Sequence, residues 1–152
     1  MLTGCNGGSS SDSKPSAITP GTVQASLQLP EGSPLMGESL IIEVYDVLYP
    51  VNSGGSVNLS TTTDVATDAS LMLPQRDSDK FPTVYLFSTL LPGETEAILN
   101  AEETAVSLVM NALPHSLLLN AGDAKTVKGA IKENSQDFIL NFKEMIKTDP
   151  YY

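Results

Sequence analysis

The chain is poor in several residue types, and each shortage removes a class of function. Tryptophan is absent, Cys5 and His115 are the single cysteine and histidine, Arg76 is the single arginine, and aromatics make up 6 % of the 152 residues. One cysteine permits no intrachain disulfide. One histidine and one cysteine fall short of the three or four ligands of an ordinary zinc site. Basic residues are also scarce: 8 Lys+Arg stand against 18 Asp+Glu, a formal charge of −10. The lysines read as scattered, five of them after residue 124, with no basic patch. Such a chain has little with which to displace the counterions of a phosphate backbone, so nucleic acid is not expected as a partner. An acidic surface mainly favours solubility. No run of about 18 apolar residues exists, so no helix is expected to span a bilayer.

What remains is a globular composition, 41 % hydrophobic and 17 % charged, with enough apolar surface to bury. With few aromatics, the expected core is Leu, Val, Ile and Ala. The length suits one domain of ordinary size, or one domain with an appendage.

Cys5 stands in the run Leu2-Thr3-Gly4-Cys5, followed by Asn6-Gly7-Gly8-Ser9-Ser10-Ser11-Asp12-Ser13. A thiolate is the nucleophile that accepts a lipid, and small Thr3 and Gly4 let a protease approach the backbone. Residues 6–20 hold almost nothing to bury and read as a disordered Gly/Ser tether. The Leu-Thr-Gly-Cys run resembles the bacterial lipobox. That resemblance implies cleavage between Gly4 and Cys5, lipid on Cys5, and a mature chain starting there. Acyl chains contribute about 0.8 kcal/mol per buried methylene, and two or more hold a protein stably on a bilayer. An export signal also has a basic stretch and an apolar stretch of about 7–15 residues. Only Met1 to Gly4 precede Cys5 here. A late start codon or a trimmed sequence is therefore expected, and the alternative is an incidental cysteine in a disordered tail.

From Gly21 the pattern changes. Val23, Ala25, Leu27 and Leu29 alternate with polar residues, the mark of a half-buried strand. Pro30-Glu31-Gly32-Ser33-Pro34 is a turn. Ser39–Val47 reads as one central strand, with Leu40, Ile42 and Val44 on one face and Ile41, Glu43, Tyr45 and Val47 on the other. Asn52-Ser53-Gly54-Gly55 is a turn leading to a short strand at Val57 and Leu59. Residues 60–70 read as a loop, Leu71 and Leu73 as a short strand stopped by Pro74, and Thr83–Ser88 as a further strand before the turn Leu91-Pro92-Gly93-Glu94.

At Asn100 the period becomes helical. Asn100 with Glu103 fits a capping box, and Ala105, Leu108, Val109 and Ala112 share a face that ends at Pro114. A second helix, capped by Asp123, buries Val127, Ala130 and Ile131. A third, capped by Ser135, carries the stripe Phe138, Phe142, Met145 and Ile146, and Asp149-Pro150 closes it.

The residues Gly21, Val23, Leu27, Pro30, Gly32, Pro34, Leu35, Gly37 and Ile41 resemble the opening of the carboxypeptidase regulatory-like domain family. These are small β-sandwiches of transthyretin-like or Cna-B-like shape. Gly54 to Leu59 fit its next turn and strand, and Tyr85 and Leu86 its late strand. Ala25 and the long loop 60–70 depart from the pattern. The resemblance covers residues 21–93 and implies a structural or spacer module without catalysis.

No catalytic constellation emerges. His115, just past a helix end, reads as a solvated or capping residue. A triad or a metal would need partners the sequence does not place beside it. Asp77-Ser78-Asp79 has the spacing that opens a calcium loop but lacks the Gly and Glu that complete one. Glu102 and Glu103 are neighbours on a helix, about 100° apart, so they do not face each other for acid–base work. Gly7-Gly8 and Gly54-Gly55 lack the Lys-Ser/Thr of a phosphate loop. No catalytic, cofactor-binding or metal-ligating residue is therefore named, and Cys5 stands as the one modified residue.

The order of strands and then helices predicts an α+β fold: a small antiparallel β-sandwich of about five to seven strands followed by two or three helices. The expected division is a lipobox remnant and tether over 1–20, the sandwich over 21–98, and a helical segment over 99–152. The expected protein is a non-enzymatic lipoprotein of the bacterial cell envelope. It would be held to the membrane by lipid and would act as a structural or binding module for an envelope protein or glycan. Asn6 after the lipidated Cys favours the outer membrane. The alternatives are the anchoring start of a larger exported enzyme or adhesin, and a small hydrolase with an unfamiliar site.

Overall fold

The computed structural model describes residues 20–62, 64–74 and 83–146, apart from the side chains of Pro20, Thr62 and Leu117. Cys5, Gly4, the tether, Asp77–Asp79 and Asp149-Pro150 lie outside these residues. The strands are β1 (Pro20–Leu27), β2 (Ile41–Val44), β3 (Val47–Pro50), β4 (Ser56–Thr62), β5 (Thr67–Met72), β6 (Val84–Leu90) and β7 (Glu96–Leu99). They precede helices α1 (Ala101–Ala112), α2 (Ala121–Asn134) and α3 (Gln136–Ile146). The fold is α+β, two sheets followed by helices, as the order of patterns predicts.

The sheets run β4-β1-β7 and β3-β2-β5-β6. Pairing is antiparallel except between β1 and β7, where Ala25 stands beside Ala97 in parallel. Alternation decides what faces inward. Val23, Ala25, Leu59 and Leu99 of the first sheet meet Ile42, Val44, Ala69, Leu71 and Leu86 of the second in one buried cluster. Each large aliphatic side chain buried there stabilises the sandwich by about 1.5–3 kcal/mol. The core is aliphatic, as the composition requires.

The strand expected over Ser39–Val47 is two strands. Tyr45 (φ 50°) and Asp46 (φ 60°) are both left-handed, the backbone of a two-residue hairpin turn, and β3 returns beside β2 with Val44 opposite Val47. The Tyr45 and Thr67 hydroxyls hydrogen-bond, tying the turn to the start of β5. Strand β2 does sit inside its sheet, between β3 and β5. Residues 60–70, expected as a loop, mostly belong to β4 and β5. Their Thr and Ser residues fill ladder positions, with Thr61 and Thr67 buried. The turn at Asn52 forms as expected. Its Oδ1 accepts the N–H groups of Gly54 at 2.9 Å and Ser56 at 3.0 Å. Gly55 has φ +73°, and an added Cβ would stand 3.3 Å from Leu27 O, so glycine is required there.

Asn100 caps α1, accepting from Glu103 N–H at 2.8 Å. The buried face of α1 differs from the one expected. Thr104, Ala105, Val106, Ser107 and Met110 are inside, whereas Leu108 and Ala112 are exposed. The helix is wedged between β6 and the other two helices, so it buries small polar residues on one side and apolar ones on the other. Asn120, not Asp123, caps α2: it accepts from Asp123 N–H at 3.0 Å and donates to the Asp123 carboxylate at 2.7 Å. Ala124 and Ile131 are buried on α2, while Ala130 is exposed. Ser135 stands between α2 and α3 and accepts Ile139 N–H at 3.0 Å. On α3 the inward residue is Ile139, with Phe142 packed beside it. Phe138 and Met145 of the expected stripe are exposed, because the helix is rotated relative to its aromatic positions.

Candidate functional site

The helices place a cleft against one side of the sandwich. Its base is Glu103, in the first turn of α1, where a carboxylate suits the positive helix end. On α2, Lys125, Lys128 and Lys132 follow the i, i+3, i+7 spacing that puts side chains on one helical face. All three line the cleft, with Gly129 between them. Opposite runs β7, with Glu96, Ala97 and Ile98, and the turn carrying Leu91 and Glu94. The space has a volume of about 460 Å³, within the range of small-ligand sites. The lysines are therefore not scattered: α2 gathers three of them on one face, and the spacing was the signal that could have found them.

Lys128 Nζ stands 3.1 Å from the Glu103 carboxylate, with side chains 15 % and 12 % exposed. Lys132 reaches the other oxygen of that carboxylate. Lys128 also donates to Thr89 O at 3.3 Å, which fixes its side chain across the end of β6. Burial pushes the Glu103 carboxyl up. The hydrogen bond from Lys132 and the charges of Lys128 and Lys132 outweigh it, so the group titrates below its ordinary value. Glu94 holds its own turn by accepting Leu91 N–H at 2.7 Å.

Glu102 and Glu103 diverge as the helix geometry predicts: Glu102 pairs with Lys143 at 3.3 Å. His115 is exposed, left-handed at φ 61°, with no side-chain capping bond. Ser116 caps α1 instead, donating to Met110 O at 2.6 Å. Gly54-Gly55 makes the β3–β4 turn.

A second polar cluster joins Thr89, Asp68 and Asn111. The Thr89 hydroxyl donates to Asp68 at 2.6 Å, and Asn111 donates to the other Asp68 oxygen at 2.8 Å. Thr89 is fully buried, so its hydroxyl is closed to any substrate and the cluster docks α1 onto β5 and β6. Among the described residues, no group of three or more His, Cys, Asp or Glu is placed to hold a metal, and no helix is long and apolar enough to cross a membrane.

No protein-family model, curated protein or solved structure matches this chain.

Proposed function

We propose that this chain is a lipid-anchored protein of the bacterial cell envelope, non-enzymatic, whose folded body is a binding module. The observation that carries the reading is the run Leu2-Thr3-Gly4-Cys5 followed by residues that, apart from Ile18, are small or polar up to Pro20, where β1 begins. Lipid on Cys5 would hold the sandwich and its helices beside the bilayer at the reach of that tether. The α2–β7 cleft supports the binding role. It combines a half-buried charge network with accessible lysines and an apolar rim at Ile98. Asn6 favours the outer membrane, by the same resemblance that suggests the lipid.

Metabolic labelling with an alkyne fatty acid tests the anchor. The full gene product, expressed in a bacterium, is expected to take up label and to partition with membranes. Cys5→Ser is expected to abolish both. An intact mass showing an unmodified Cys5 sulfhydryl in the native product removes this reading.

A further inference from the structure

The start of β1 and several exposed apolar side chains meet at one end of the sandwich. Pro20, where β1 begins, pairs with Thr62, where β4 ends. Only residues 63–66 separate Thr62 from Thr67 at the start of β5, and the Tyr45 hydroxyl of the β2–β3 turn bonds the Thr67 hydroxyl. Helix α1 runs toward the same end. Thr104 lies beside Phe87, Ser107 beside Thr89, and Asn111 beside Asp68, the second residue of β5. After α1, the Ser116 hydroxyl donates back to Met110 O, which keeps Leu118 at that helix end. Tyr45, Val47, Val65, Leu113 and Leu118 are all exposed here. Among the described residues, the loops of the opposite end, 28–40 and 51–55, expose one large apolar side chain, Met36.

We propose that this end of the sandwich is the membrane-facing surface of the protein, and that its five exposed apolar side chains settle into the headgroup region of a zwitterionic bilayer. The proposal rests on lipid at Cys5, the reading given above. The position of Pro20 selects the occupant: a chain held by lipid on Cys5 reaches the folded body at this end, so this end is the one brought nearest to the bilayer. A Gly- and Ser-rich stretch as long as the one from Cys5 to Pro20 spans about 20 Å root-mean-square. A link of that reach sets a local concentration on the order of millimolar. A surface too weak to hold a free protein on a membrane is therefore engaged once the protein is anchored. The residue types fit an interface: a Tyr ring lies at headgroup level with its hydroxyl toward water, and Leu and Val bury into the boundary of the acyl chains. The charges select the lipid. Asp46 and Asp64 are exposed among the apolar residues, and the lysines of α2 line the cleft instead. On a chain of net charge −10, an anionic surface repels this end, whereas a zwitterionic one offers its ammonium groups to the two carboxylates.

The test supplies the anchor chemically. The unacylated, ¹⁵N-labelled full chain is coupled through the Cys5 thiol to a maleimide lipid in nanodiscs of phosphatidylcholine and phosphatidylethanolamine. A lipid bearing a gadolinium chelate at headgroup level then broadens the amides that lie near the bilayer. Asp46, Val65 and Leu113 are expected to broaden at least about threefold more than Gly37 and Asn52. The tether alone brings this end closer, so the deciding variant leaves the tether intact. Val47→Ser combined with Val65→Ser and Leu118→Ser is expected to cut the contrast between the two ends at least about twofold, with the remaining amide shifts unchanged. Phosphatidylglycerol added to the discs is expected to weaken the contrast as well. Equal broadening at the two ends, a contrast that survives the triple variant, or a contrast that grows with phosphatidylglycerol each overturn the proposal. A doubled mass of the uncoupled chain in sedimentation, lost in the triple variant, assigns the surface to a second copy and overturns it too. Acylation of Cys5 in the cell is read separately, by fatty-acid labelling. A failed surface leaves the anchor standing, and an unmodified native Cys5 removes the anchor and this use of the surface together.

Discussion

Thr104 of α1 faces the backbone of Phe87, with its Oγ1 3.0 Å from both the N and the O of that residue. A helix side chain thus stands where a neighbouring strand would pair. Ser107, one turn later, does the same for Thr89 N–H at 2.8 Å in a fully buried setting. Removing either hydroxyl leaves a strand N–H without a partner, and such a group costs about 1–3 kcal/mol when buried. Ser107→Ala is expected to lower the unfolding free energy by that amount in urea titrations. Thr104→Val should cost less, because Phe87 is only partly buried. Thr104→Ser should be close to neutral.

Glu103 links pH to stability. Its carboxyl titrates below the ordinary value of 4.5 in the folded chain, as the lysines outweigh the effect of burial. A depressed folded value means the charged form is the one favoured by folding. The stabilisation is therefore fully present above pH 4.5 and is lost as pH falls through the lower folded value. Glu103→Gln is expected to be less stable than the natural chain at pH 7, with the gap closing below that point. Thermal melts from pH 3 to pH 7 read this directly; a gap that stays constant across the range contradicts the assigned pairing.

The Tyr45-Asp46 turn carries a local cost. Both residues are left-handed, at φ 50° and 60°, where a side chain crowds the following carbonyl. Glycine relieves the crowding but gives up some of that gain to its freer unfolded chain. Asp46→Gly is expected to raise stability by about 0.5 kcal/mol and Asp46→Val to lower it by about 1–2 kcal/mol. Urea midpoints in the opposite order would show that the hairpin turns some other way.

What could be read from the sequence was short in range. The Asn100 cap, the Asn52 turn and the alternation at Val23 and Ala25 are each set by residues within a few positions. The hairpin escaped because Tyr-Asp is not a usual residue pair for its turn; the Tyr45 hydroxyl on Thr67 helps to hold it. Strand β7 escaped because Glu-Ala-Ile-Leu carries little strand preference; its extended form comes from the ladder with β1, far away in sequence. The Lys125, Lys128 and Lys132 spacing was visible, but its meaning was not. That depends on Glu103, which only the folded chain brings opposite Lys128 and Lys132. Helix faces were misread for a related reason: α1 packs on two sides, so a single apolar stripe does not describe it.

The rotation of α3 gives the sharpest check on its packing. Ile139 is 7 % exposed and joins the cluster of Leu91, Ala105, Val106, Met110, Ala124 and Ile131. Leu140, its neighbour, is 59 % exposed. Truncating a buried Ile removes its transfer free energy and leaves a cavity, costing about 2–5 kcal/mol, whereas an exposed Leu in a helix loses within about 0.5 kcal/mol. Ile139→Ala is therefore expected to destabilise by several times more than Leu140→Ala in paired urea titrations. If the larger loss fell instead on Phe138→Ala and Ile139→Ala were mild, α3 would be packed on the face that carries its aromatic residues. The α1–α3 contact would then have to be rebuilt around that face.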